Sequence, residues 1–150
     1  MKLALLFGCA VALLIGCSRS AKTCAVCQRA ECTGLTFSIT LADGQVVETC
    51  CPRCGLRVVR QQTRPPRAVT ATDYATGKQV DALAALYVVG SDVSHCAAME
   101  VRRDAQGCCL YKGYDRCQPS TIAFAGRDEA EAFARKHGGK VSAWNELALR

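Results

Sequence analysis

Short stretches of this chain switch between two periods, two residues and three to four, and that alternation outlines a mixed fold. Residues 35–40, Leu-Thr-Phe-Ser-Ile-Thr, alternate apolar and polar side chains as a half-buried strand does. Ala42-Asp43-Gly44 supplies a hairpin turn, and residues 45–49 read as the returning strand. Cys51-Pro52 opens a helix, because proline suits the first helical turn, and the helix runs to about Gln62, ahead of Pro65-Pro66. Residues 68–73 form another strand, closed by a turn at Thr76-Gly77. The pattern then recurs. A helical turn at residues 81–85 leads into a strand at 86–90, and a long loop covers 91–119. A strand at 121–125 and a helix at 127–137 follow, with Ala130, Phe133, Ala134 and His137 on one helical face. Asp128 and Glu131 have capping-box spacing, Gly138-Gly139 ends the helix, and residues 141–144 close as a strand. The prediction is an α+β fold of two strand-strand-helix-strand halves, about 24–75 and 76–150. A loop of nearly thirty residues is too long for a plain connector, so it is expected to be functional or cross-linked.

The N-terminus follows neither period. After Lys2, residues 3–16 form one apolar run, shorter than the roughly 20 residues that span a membrane. It fits the core of an export signal covering residues 1–16. Its end, Leu14-Ile15-Gly16-Cys17, resembles the lipobox of bacterial lipoproteins, in which the cysteine is lipidated and becomes the mature N-terminus. An ordinary cleaved signal peptide is the alternative. The lipobox reading predicts a lipid anchor on Cys17, a polar tether over residues 17–23, and a location on the membrane of the bacterial cell envelope, facing the periplasm.

Composition narrows the chemistry. Half of the 150 residues are hydrophobic and 21% are charged, a balance that excludes a disordered chain. The formal charge of +6 is compatible with nucleic acid, yet aromatic residues make up only 6% and no nucleic-acid motif is present, so that partner is not expected. Twelve cysteines carry most of the information. Without Cys9 in the signal and Cys17 in the anchor, Cys24, Cys27, Cys32, Cys50, Cys51, Cys54, Cys96, Cys108, Cys109 and Cys117 remain, and outside the cytoplasm disulfides must be weighed for each.

Cys24-Ala25-Val26-Cys27 and Cys51-Pro52-Arg53-Cys54 are two C-x-x-C pairs with twenty-three residues between them. Each turn brings two sulfurs close enough for one soft ion, and a hairpin that joins the turns would complete a four-thiolate site. A zinc or disulfide clamp is the structural alternative. Haem attachment is excluded, because Gln28 and Gly55 follow the pairs where histidines would be needed. Cys51 and Cys54 lie at a predicted helix start, followed by Arg53, Arg57, Arg60, Arg64 and Arg67, so their thiols are expected to be deprotonated. A thioredoxin-like centre there has weaker support, and the arginines are equally compatible with a solvated helix face. In the long loop, His95, Cys96 and Met99 offer imidazole, thiolate and thioether, ligands suited to Cu(I), with stapling by disulfides as the alternative. Adjacent cysteines, Cys50-Cys51 and Cys108-Cys109, are expected to serve different partners. His137 reads as a helix-end residue rather than a ligand.

Residues 73–82, Asp-Tyr-Ala-Thr-Gly-Lys-Gln-Val-Asp-Ala, continue into Ala85-Leu86-Tyr87-Val88-Val89-Gly90-Ser91-Asp92. With Ile122-Ala123-Phe124 and the ending Phe133…His137-Gly138-Gly139-Lys140-Val141, they resemble the NosL family over about residues 24–147. The resemblance implies a fold like that of organomercurial lyase and a lipoprotein that carries Cu(I) to nitrous oxide reductase. The family motif C-x-x-C-G-M is only partly present: Cys24 and Cys27 match, but Gln28-Arg29 replace Gly-Met, and arginine cannot ligate Cu(I). The chain is therefore expected to be a cysteine-rich variant, with Cys24, Cys27, Cys51, Cys54, Cys50, Cys32, Cys96, His95 and Met99 as the candidate metal ligands and zinc as the alternative ion. The C-x-x-C sulfurs are expected to matter more than Cys108 or Cys117. Enzymatic thiol attack on an organomercurial or a disulfide is not expected, since no general acid beside a thiol is legible and Asp43 is only a nominal candidate.

Overall fold

The computed structural model describes residues 23–30, 34–94, 96 and 100–148. The signal segment, the tether up to residue 22, Cys17, Cys32, His95 and Met99 lie outside them. Strand β1 (Phe37–Thr40) pairs with β2 (Val46–Thr49) through the expected hairpin. Helix α1 (Pro52–Arg60) follows, then β3 (Ala68–Thr72) and a short β4 (Gln79–Asp81) that the sequence pattern does not predict. Their sheet has the order β2-β1-β3-β4, and every neighbouring pair is antiparallel.

The second half repeats this path. Strand β5 (Leu86–Val89) is followed by a two-stranded hairpin, β6 (Val101–Arg103) and β7 (Cys109–Tyr111), within the segment that the sequence pattern assigns to one long loop. Then come β8 (Thr121–Phe124), α2 (Arg127–His137), β9 (Lys140–Ala143) and α3 (Trp144–Ala148). The sheet order is β8-β5-β9, again antiparallel. In both halves the first strand is central, flanked by the second and by the strand after the helix. The α+β class and its two strand-strand-helix-strand halves are present.

Period-two alternation decides which half each side chain serves. In β5 and β8, Val88 and Ile122 face the α2 side with Phe124, where Ala130 and Phe133 cover them. Tyr87 and Ala123 point the other way, into a core with Phe37, Ile39, Leu56, Val69 and Ala71 of the first half. With both faces covered, all four residues of β8 are buried. Trp144 does not extend β9 as expected. It begins α3 and stacks on Phe37 at a centroid separation of 6.0 Å, which closes the shared core.

Helix α1 packs against β1 at Gly55. A Cβ there would fall inside the Phe37 ring, so only glycine permits this approach. Helix α2 is capped differently from the predicted Asp128–Glu131 box. Gly126 is its N-cap, without a side-chain cap bond, and Glu129 in the first turn folds back against it. Glycine leaves the space that this carboxylate fills.

Asp73, 2% exposed, fastens the halves together. Its carboxylate accepts from the Thr76 hydroxyl and the Thr76 and Ala75 amides, and across the junction from the Ala125 amide at 3.0 Å. The neighbouring Tyr74 amide donates to the Ala123 carbonyl at 2.9 Å. Burial alone would raise the Asp73 pKa, but the Thr76, Ala125 and Ala75 bonds to the charged form hold it below the ordinary value.

Stability should respond at both of these positions. Gly55→Ala should destabilise the fold by about 1–3 kcal/mol, the usual cost of overpacking, in a urea titration. Because the folded pKa of Asp73 is depressed, its contribution is present above about pH 3.9 and is lost as pH falls through that value toward the folded pKa. Asp73→Asn should therefore cost about 1.5–3 kcal/mol at pH 7 and much less near pH 3. An equal loss at both pH values, measured by chemical denaturation, would show that the charge does not matter.

Candidate metal centre

The first C-x-x-C pair lies in a tight loop closed by a bridge between Thr23 and Ala30. The Cys24 amide donates to the Arg29 carbonyl at 2.8 Å, and the Gln28 amide to the Cys24 carbonyl at 3.0 Å. The Val26 amide points at the Cys24 sulfur at 3.4 Å, a geometry that favours a thiolate. Gln28 has φ +64°, the left-handed region where glycine is at ease and where the resembled motif carries glycine. Gln28 adopts here a conformation in which the glycine of the resembled motif would be unstrained.

Cys50 directly follows β2, Cys51 is the N-cap of α1, and Cys54 lies in its first turn. The Ala25 amide reaches the Glu48 carbonyl of β2, which docks the first loop beside this corner. The sulfurs form two sets, Cys24, Cys27, Cys50 and Cys54, and Cys50, Cys51, Cys54 and Cys117, with the atoms of each set within 4.8 Å of one another. Cys27 and Cys50 are 3.5 Å apart. Cys50 lies 3.8 Å from Cys51, 3.8 Å from Cys54 and 3.7 Å from Cys117, and Cys54 lies 3.7 Å from Cys117. Metal–sulfur bonds of about 2.3 Å put the sulfurs of a tetrahedron about 3.8 Å apart. The donor set therefore fits a soft ion in both chemistry and spacing. Five of the six sulfurs are on buried residues, and Cys27 alone is half-exposed.

Cys117, grouped in the sequence with the loop staples, thus joins the C-x-x-C sulfurs. No local spacing could have shown this, since it lies 63 residues beyond Cys54. It arrives because β8 packs under α1 and the turn before β8 reaches the start of that helix. Arg29 holds the turn in place. Its guanidinium meets the Asp115 carboxylate at 2.5 and 3.0 Å, donates to the Cys96 carbonyl at 2.6 Å and points at the Cys117 sulfur at 3.8 Å. Arg116 adds a bond to the Val26 carbonyl at 2.8 Å. The Arg29 contact keeps the Asp115 carboxyl below the usual carboxylate range, against the cost of its burial. A residue that cannot ligate copper therefore braces two segments of a thiol site, the N-terminal loop and the turn before β8.

The helix start does not leave every thiol of the second pair deprotonated, contrary to the expectation from sequence. The neighbouring Cys117 and Cys24 sulfurs push the Cys54 thiol up, and Cys50 is pushed up by the same two neighbours. The Cys24 thiol is lowered by its Cys50 and Cys54 neighbours, and Cys117 is lowered chiefly by Cys50, then by Cys51 and Cys54. Burial pushes the Cys27 thiol up. Arg53 sits beside Cys51 and Cys54 with its guanidinium half-buried and its Nε without a hydrogen bond. It places positive charge near the Cys51 and Cys54 sulfurs.

Three other described cysteines belong to neither sulfur set. Cys96 is disulfide-bonded, so it offers no thiolate and the expectation that it ligates a metal is corrected. Its sulfur rests 3.5 Å from the Cys50 carbonyl, against the cluster's flank. Cys108 is exposed, and the Cys109 sulfur contacts the His137 carbonyl at 3.8 Å. His137 itself pairs with Asp92 at 3.0 Å, at the helix end as expected. The predicted ligands Cys32, His95 and Met99 fall outside the described residues.

No protein-family model matches the sequence, and no curated protein matches it either. Comparison with solved structures finds the crystal structure of the copper chaperone NosL from Shewanella denitrificans, with a TM-score of 0.62 and 18% sequence identity, over 85% of this chain and 90% of that one. The fold of this chain is NosL-like.

Proposed function

We propose that this chain is a Cu(I)-binding protein of the cell envelope that receives and releases the ion by ligand exchange, as a metallochaperone. The observation that carries the reading is the gathering of six unpaired thiols at one corner of a NosL-like frame. Thiolates are soft ligands and select Cu(I) over the hard cations. The structural neighbour is itself a copper chaperone. Cys27, half-exposed beside five buried partners, is the sulfur at which an incoming or outgoing thiol would first share the ion.

The setting belongs to the same proposal. The apolar run ending at Cys17 supports export and a lipid anchor, and the disulfide at Cys96 supports an oxidising compartment such as the periplasm. No helix among the described residues is long and apolar enough to cross a membrane, so attachment would rest on the lipidated Cys17. The client would be nitrous oxide reductase or a related copper protein.

A second reading has its own support. Sulfur separations of 3.7 and 3.8 Å suit tetrahedral zinc equally well, and a buried closed shell is typical of a structural ion. The chain would then be a zinc-stabilised lipoprotein serving as an interaction module.

Anaerobic competition separates the two. The full chain should withdraw Cu(I) from a chelator of moderate affinity and displace any zinc it carries, and Cys54→Ser should weaken binding by at least about 10–100-fold, more than the loss of an outer-sphere contact. Cys27→Ser should slow transfer of the ion to a competing thiol more than it lowers affinity. Zinc that Cu(I) cannot displace would establish the structural role instead.

A further inference from the structure

Six sulfurs exceed what one ion can use. A tetrahedral ion takes four, and Cu(I) is satisfied by fewer, so a mononuclear centre would leave at least two thiols of a packed cluster idle. The sulfurs are not arranged as one centre with spares. They fall into two sets of four that share Cys50 and Cys54. The shared pair is 3.8 Å apart, the length of a tetrahedron's edge at metal–sulfur bonds of about 2.3 Å. Beyond that edge, one set is completed by Cys24 and Cys27 of the N-terminal loop. The other is completed by Cys51 of the α1 cap and Cys117 of the turn before β8.

Resting on the Cu(I) reading above, we infer that the site holds two Cu(I) ions in one thiolate-bridged cluster, with Cys50 and Cys54 as the bridges. Cys24 and Cys27 are the terminal ligands of one ion, and Cys51 and Cys117 those of the other. Bridging makes chemical sense of the burial. A sulfur shared between two cations carries less net negative charge than a terminal thiolate, and the two shared residues are both completely buried, as Cys24 is on one side of them. As the ions enter, each coordinating thiol that is still protonated releases its proton to solvent, and no electron moves. Positive charge from Arg29 at the Cys117 end and from Arg53 beside Cys51 and Cys54 offsets the remaining negative charge.

Titration of the anaerobic full chain with Cu(I) should end at two equivalents, and X-ray absorption of the loaded wild-type chain should show a copper–copper distance as well as copper–sulfur ones. The double variant Cys24→Ser/Cys27→Ser should retain one equivalent, as should Cys51→Ser/Cys117→Ser. Cys50→Ser/Cys54→Ser should lose the cluster, and Cys108→Ser/Cys109→Ser should keep both ions. An end point at one equivalent, or no copper–copper scattering at two, overturns the bridged cluster while leaving Cu(I) binding intact. Loss of one ion in Cys108→Ser/Cys109→Ser overturns it too, by placing the second ion at the surface. Failure to hold any Cu(I) against the chelator would instead remove the function on which this inference rests. Because the absorption experiment needs no variant, a substitution that unfolds the corner does not obscure the result.

Discussion

Six cysteines can be packed into one corner because a protonated thiol behaves as a small hydrophobe. The corner where α1 meets the second half depends on this. Cys24, Cys50, Cys51, Cys54 and Cys117 belong to the same apolar cluster as Leu35, Val88, Ile122, Phe124 and Phe133, so the sulfurs extend the core beneath α2. Once those thiols ionise, the same atoms become concentrated negative charge in an apolar setting, which is tolerable only with cations alongside. The surroundings are built for that second state. A helix N-terminus and the Arg29 guanidinium face the cluster, Arg53 lies between Cys51 and Cys54 in the chain, and the first turn of α1 contains no acid.

The brace between Arg29 and Asp115 ties the electrostatics to the architecture. Asp115 is largely buried while Arg29 remains partly exposed, so the pair is not a bare surface contact of little worth. It joins the N-terminal loop to the turn before β8, segments 86 residues apart in the chain, and the Arg116 bond to Val26 duplicates the connection. Each side contributes sulfur to the cluster. The distance between Cys24 and Cys117 is consequently set by charge-assisted hydrogen bonds outside the cluster and does not rely on the sulfurs alone.

Much of this is legible in the sequence because the strands that matter most are central ones. Strand β1 alternates buried and half-buried residues, and β5 is an apolar run covered on both faces, so both stand out in the sequence as the centres of their sheets. Strand β4, three residues with only one partly buried, has no such signature and exists because it completes the edge beside β3. Hairpin β6–β7 is similar: Arg102, Arg103 and Leu110 are exposed, so no apolar period marks it. At the site, the two C-x-x-C pairs are visible because a ligating turn is local. Cys117 is not, because its place depends on which strand packs under α1, a tertiary fact without local spacing. The protonation pattern is hidden for the same reason. Sequence shows only the helix dipole acting on Cys54, whereas its thiol is governed by two neighbouring sulfurs from distant segments.

The replacement of the resembled Gly-Met by Gln28-Arg29 takes on a physical meaning in this setting. Keeping a left-handed turn at Gln28 without glycine carries a conformational cost of about 1–2 kcal/mol, so the loop's path is worth maintaining even where the motif has changed. Directly after the turn, Arg29 aims a cation at Cys117 where the motif has a neutral thioether. A thioether would add a ligand but no charge; arginine adds charge but no ligand. That exchange is sensible only where sulfur ligands are already in surplus and negative charge is the scarcer tolerance. With six thiols in the corner, the surplus is present. Arg29 therefore marks this site as one that relies on anionic sulfur for binding and on fixed cations, held in place by buried Asp115, to make that anionic sulfur stable.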